Sequence, residues 1–128
     1  MTKICLIDSN VIVRLVIADV ADQFEKAKDF FKKIEDGARV GKISILVLDE
    51  VIWVLENYYE LPRKVYLAQI LKLLAIKNVR VMEVKKSLVQ NILKEMMENR
   101  IDFTDYYLAR NSEGATVFSF DKDLNKLV

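Results

Sequence analysis

Ile4-Cys5-Leu6-Ile7-Asp8-Ser9-Asn10-Val11-Ile12-Val13 opens the chain with an apolar run that halts at a carboxylate and then resumes. Four consecutive apolar residues, Ile4 to Ile7, read as a strand buried on both faces. Ser9 and Asn10 are small and polar, and the run from Val11 to Ala18 is long enough for a short helix. A strand that ends in an acid just before a helix sets that acid at the carboxyl edge of a sheet, where open α/β sheets bind ligands. The fold and the function both turn on whether other acids reach the same edge.

Working outward, Phe24, Ala27, Phe30, Phe31 and Ile34 recur at helical spacing, and Gly37 and Gly41 are expected to end that helix. Residues 42–46 read as a short strand and 47–59 as a helix with Leu48, Val51, Ile52 and Leu55 on one stripe. Pro62 is placed at the first position of a further helix that runs to about Ile76. A third strand covers 79–82, and helices cover 87–99 and 102–112. A fourth strand is expected over 115–120, and a short helical tail follows. Strands alternating with helices argue for α/β architecture, with helices on both faces of a small parallel sheet.

Length and composition bound the reading. The chain has 128 residues, 52% apolar and 30% charged, with three Gly and one Pro, which suits one ordered domain over residues 1–128. Formal net charge is +1, so an anionic ligand would need a local basic patch. The one cysteine, Cys5, cannot form an internal disulfide and reads as a small buried hydrophobe, which fits a cytoplasmic protein. The first apolar run breaks at Asp8 without a small-residue cleavage pattern, and no run approaches the ~20 apolar residues of a membrane span. The chain contains no histidine. That excludes Ser-His-Asp, Cys-His and paired-histidine chemistry, and it removes the commonest ligand of zinc and copper.

Carboxylates remain. Asp8 ends the first strand, Glu50 lies one turn into the helix after the second, and Asp121 ends the fourth. Asp102 and Asp105 open the helix that feeds the fourth strand, so their turn returns to the same rim. Acids gathered this closely repel and raise one another's pKa unless a cation neutralises them. Oxygen-only ligands select hard ions, so Mg²⁺ or Mn²⁺ is expected. Such an ion, with no histidine, points to phosphodiester hydrolysis by a metal-activated water.

Each acid also has a plainer reading. Asp8 is a candidate helix cap, and Glu50 is a candidate first-turn acid favoured by the helix dipole, although it interrupts an apolar face. Asp102 and Asp105 resemble a capping box, and Asp121 and Asp123 suit a turn. Asp49 reads as solvated. Arg14, one turn beyond Asn10, is either a phosphate contact or an ion-paired helix residue.

These residues resemble a known family. Ile7-Asp8-Ser9-Asn10-Val11-Ile12 is similar to the opening Asp-Thr-Asn-Val motif of PIN domains of the VapC toxin type, with Ser9 for the usual Thr. Ser44 through Glu50 to Leu55 resembles the second motif. Asp102-Phe103-Thr104-Asp105-Tyr106-Tyr107-Leu108-Ala109 resembles Asp-Phe-x-Asp-Ala-x-Leu-Ala. Val117-Phe118-Ser119-Phe120-Asp121-Lys122-Asp123-Leu124 resembles the terminal Thr-x-Asp-x-Asp-Phe segment. The resemblance implies a PIN-like three-layer α/β/α fold with a central parallel sheet of four or five strands. It also implies a metal-dependent endoribonuclease, often the toxin of a type II toxin–antitoxin pair. Its partners would be RNA, a cognate antitoxin and a second copy in a homodimer.

By position, the resemblance makes Asp8, Glu50, Asp105 and Asp121 the catalytic acids. The same four with Asp102 would hold the metal, and Asn10, Ser119 and Asp123 would steady acids or water from behind. Tyr106 stands where the family has a small residue, and a ring there is expected to narrow the cleft. The aromatic-rich stretch from Ile52 to Leu74, with Trp53, Tyr58, Tyr59, Tyr66, Leu67 and Leu71, is a candidate dimer face or antitoxin groove. The competing readings are an RNA-processing nuclease of this fold without an antitoxin, a non-catalytic protein-binding module, and an aspartyl-phosphate phosphatase. The last requires an Asp where Asn10 stands.

Overall fold

The computed structural model describes residues 2–128. Its elements run β1 (Lys3–Leu6), α1 (Ser9–Ile17), α2 (Ala21–Glu35), β2 (Arg39–Ile43), α3 (Ile45–Trp53), α4 (Arg63–Leu74), β3 (Val79–Val81), α5 (Lys86–Glu98), α6 (Phe103–Arg110) and α7 (Lys122–Leu127). A π-helical turn, Val54–Tyr58, extends α3. The strands form one parallel sheet in the order β1-β2-β3, with Lys3 opposite Arg39 and Gly41 opposite Val79. This is an α/β fold with a small parallel sheet, as expected from the alternation of strand and helix.

Local chemistry explains the joins. Gly37, at φ 88°, ends α2 in the left-handed conformation, and its N–H and that of Ala38 reach back to Ile34 O and Lys33 O. Gly41 does not stop that helix; it lies inside β2. A Cβ there would stand 2.7 Å from the Cδ1 atoms of both Ile34 and Ile7, so glycine lets α2 press close onto the sheet. Ser44 lies outside the strand and caps α3 through Leu46 N–H. Pro62 is the N-cap of α4 rather than its first residue. The Lys86 ammonium donates to Leu74 O and Ile76 O and so closes the end of α4. The core runs continuously from Ile7, Ile12 and Ile34 through Leu48, Val51, Leu67 and Leu74 to Ile92, Leu93, Phe103 and Tyr106.

Two expectations fail at the sheet. Among the described residues it has three strands, not four or five: 115–120 forms no strand. Glu113 and Gly114, consecutive at φ 52° and 84°, turn the chain just after α6, and Phe118 and Phe120 end 85% and 92% exposed. β1 is therefore an edge strand and not one buried on both faces. Ile4 and Leu6 are exposed and only Ile7, just beyond the strand, is in the core. Among the described residues no strand pairs with the outer edge of β1.

Candidate active site

Asp8, Asp102 and Asp121 occupy the N-cap positions of α1, α6 and α7. The helix dipole favours carboxylates at such ends. What the side chains do there separates them. Asp121 caps in the ordinary way, with one oxygen accepting from Asp123 N at 2.7 Å and Leu124 N at 3.2 Å. Ser119 Oγ accepts from Asp121 N at 2.9 Å, and Asn125 holds Ser119 O, so the turn before α7 is tightly drawn. Asp123 faces Lys126 at 3.9 Å. Asp8 and Asp102, by contrast, make no side-chain cap bond. Among the described residues, the exposed Asp8 carboxylate is held by Asn10 Nδ2 alone, at 3.4 Å. The capping readings thus apply to Asp121 and not to Asp8 or Asp102.

Glu50 is tied to the same corner as Asp8. The buried Ser9 hydroxyl donates to Glu50 Oε1 at 2.6 Å and joins the start of α1 to the middle of α3. Charge-assisted bonds of this length are among the stronger ones. Asp105 lies in the first turn of α6, half-buried. Burial pushes its carboxyl above the usual range, and the charges of Asp121, Asp102 and Asp123 push it further. Four acids from α6 and α7 thus share one field.

The acids fall into two groups. One comprises Asp8 and Glu50 with Asn10 and Ser9; the other comprises Asp102, Asp105, Asp121 and Asp123. All donors are hard oxygens, and the repulsion around Asp105 is the kind a divalent cation relieves, so the donor chemistry suits such an ion. Their placement is more open than the sequence implied. Among the described residues, no three of Asp, Glu, His and Cys converge closely enough to hold a metal.

The family model for the PIN domain matches residues 5–128. The chain belongs to the PIN domain family. No curated protein and no solved structure matches it at a significant level. PIN domains are a nuclease fold family whose members typically use divalent metals and act on nucleic acid. Among the described residues, no helix of this PIN domain is long and apolar enough to cross a membrane.

Among the neighbouring residues Tyr106 differs from expectation, and Arg14 takes one of the two arrangements open to it. Tyr106 does not narrow a cleft: it is 1% exposed, packed in the core with Arg110 over its ring at 5.7 Å. Arg14 is committed within the chain, to Gln23 Oε1, Asp19 and the Tyr59 hydroxyl. This is the ion-paired arrangement rather than a free phosphate contact. Of the aromatic stretch, Tyr66 and Leu67 are core, while Trp53 and Tyr58 stand 62% and 73% exposed.

The sequence reading also missed residues. Asp49, exposed as expected, also accepts from Thr104 Oγ1 at 3.2 Å and links α3 to α6 beside the acids. Arg63 reaches Asp102 from α4. The motif alone does not show that Ser9 is buried and bonded to Glu50. Helical periodicity could have flagged Ser9, a polar residue beside a run of core positions. No local signal marks Arg63 or Asp49, because their partners lie 39 and 55 residues away.

Proposed function

We propose that this chain is a metal-dependent endoribonuclease of the VapC type, hydrolysing RNA phosphodiester bonds as the toxin of a type II toxin–antitoxin pair in the cytoplasm. Residues 1–128 would form its single nuclease domain. The observation that carries the reading is the state of the acids: Asp8 sits at a helix N-cap without capping, and Asp105 is pushed upward by burial first and then by the charges of Asp121, Asp102 and Asp123. A solvated surface has no reason to gather charge this way, whereas a cation site does. In this reading Asp8, Glu50, Asp105 and Asp121 are catalytic, and Asp102 joins them around Mg²⁺ or Mn²⁺. Asn10, Ser119 and Asp123 steady the acids. The ion would supply a Lewis acid for the phosphate and lower the pKa of the attacking water.

The test is cleavage of single-stranded RNA with Mg²⁺ or Mn²⁺. Cleavage is expected to stop in EDTA and in the Asp8→Asn and Asp121→Asn variants, with circular dichroism unchanged. Full activity in EDTA would sink the proposal. The exposed Trp53 and Tyr58 favour a further element of the same reading, a face for a second copy or an antitoxin. Light scattering is expected to give a dimer at micromolar protein, and a monomer mass would remove the homodimer from the reading. The same pair would serve a non-catalytic binding module. That alternative predicts no carboxylate-dependent Mn²⁺ site by calorimetry.

A further inference from the structure

The most densely bonded polar side chain near the acids is not an acid. Arg63, in the first turn of α4, has a side chain only 15% exposed. Its Nε donates to Glu56 Oε1 at 2.6 Å, and its Nη1 donates to both Asn99 O and Ile101 O at 2.7 Å. Its Nη2 reaches Asp102 Oδ1 at 3.3 Å. Glu56 lies within the π-helical turn Val54–Tyr58, where an extra residue per turn changes which side chains face α4. Its Oε1 also accepts from the buried Tyr66 hydroxyl at 3.1 Å. Burial and the Glu56 charge raise the Tyr66 pKa, so that hydroxyl keeps its proton and remains a donor.

The bonds are unequal. Asp102 is 74% exposed and its contact is the longest, so as an ion pair it adds little. The short bonds to Asn99 O and Ile101 O carry the constraint. These carbonyls flank Arg100 in the connection from α5 to α6, just before Asp102 and the turn that holds Asp105. Only a planar fork with donors at fixed angles reaches all four partners at once.

The geometry points to Arg63 as a positioning residue for the acidic site: clamped by Glu56, it sets the α5–α6 connection and thereby the placement of Asp102 and Asp105 toward a divalent cation. The role rests on the nuclease reading above. It is tested by Mn²⁺ alone, titrated by calorimetry and electron paramagnetic resonance into the wild type, Arg63→Gln and Arg63→Lys, with the melting temperature of each metal-free protein measured alongside. Arg63→Gln is expected to weaken Mn²⁺ binding by about tenfold or more, the loss typical of residues that orient ligands. Arg63→Lys keeps the charge but not the fork and is expected to leave the affinity unrestored.

Wild-type Mn²⁺ affinity in Arg63→Gln, whatever its melting temperature, would show a structural role alone and overturn the inference. Full affinity in Arg63→Lys would overturn the fork as the cause. Failure of the wild type itself to bind Mn²⁺ would instead overturn the nuclease reading. Should Arg63→Gln not fold, Glu56→Gln loosens the clamp while keeping an oxygen for Tyr66. It is expected to weaken Mn²⁺ a few-fold, and unchanged affinity there overturns the inference equally.

Discussion

At Ser9 a single hydroxyl does two jobs. It is 5% exposed, so its O–H needs a protein acceptor, and Glu50 Oε1 at 2.6 Å provides one. Ser9→Ala removes the donor and leaves the exposed Glu50 free to rotate into solvent. A stability loss of about 1 kcal/mol is expected, because Glu50 can rehydrate and escape the full cost of a buried orphan. Urea denaturation measures it, and a loss near zero would mean the hydroxyl finds another partner. Asp105 shows the opposite sign. Its carboxyl is raised by burial and by Asp121, Asp102 and Asp123, so its charge strains the metal-free fold at neutral pH. Asp105→Asn is therefore expected to raise the melting temperature of the metal-free protein while abolishing RNA cleavage. A fall in melting temperature would show that the carboxylate is held by favourable contacts outweighing the repulsion.

At the scale of elements, α3 carries Glu50 and depends on how its start is held. Ser44 accepts from Leu46 N and donates to Glu83 at 2.7 Å, and Glu83 also accepts from Ile45 N at 2.8 Å. These bonds favour the charged form and hold the Glu83 carboxyl below its ordinary value, with the Ile45 amide the larger cause. The native state therefore binds this proton more weakly than the unfolded chain does. The stability Glu83 contributes is present above the ordinary glutamate pKa and is lost as pH falls through the lower native value. Glu83→Gln is expected to flatten part of the acid limb of a stability-versus-pH curve below about pH 4.5. A curve superimposable on the wild type would show that Glu83 is not held in solution.

The elements themselves were largely legible, because 3.6-residue periodicity and the stops at Gly37 and Pro62 act locally. The α3 cap at Ser44 and the place of Gly41 were not. A serine or glycine beside a strand reads the same in sequence whether it ends the element or lies inside it, and only the approach of Ile34 and Ile7 decides.

For the whole molecule, the acids were legible as a set and their spacing was not. Asp8, Glu50, Asp102, Asp105 and Asp121 stand out as candidates from their places beside strand and helix ends, whereas the choice of Asp8, Glu50, Asp105 and Asp121 as catalytic comes from the resemblance to PIN domains. How far β1 stands from the segment before Asp121 depends on long-range pairing, and 115–120 pairs with no strand. The acids consequently fall into a β1–α3 group and an α6–α7 group, with no three close enough for a metal among the described residues. If one ion serves the site, binding must draw both groups in, and the ion will stabilise the native fold by mass action. At a Mn²⁺ concentration one hundred times its dissociation constant, the gain is about 2.7 kcal/mol. The melting temperature is thus expected to rise with Mn²⁺ and return in EDTA. The decisive arm is the pair of single variants. Asp8→Asn alters the first group and Asp121→Asn the second, and each alone is expected to remove most of the rise. A full Mn²⁺ shift surviving in one of them would mean that the ion sits within a single group and that the sites at the two ends of the chain are not one.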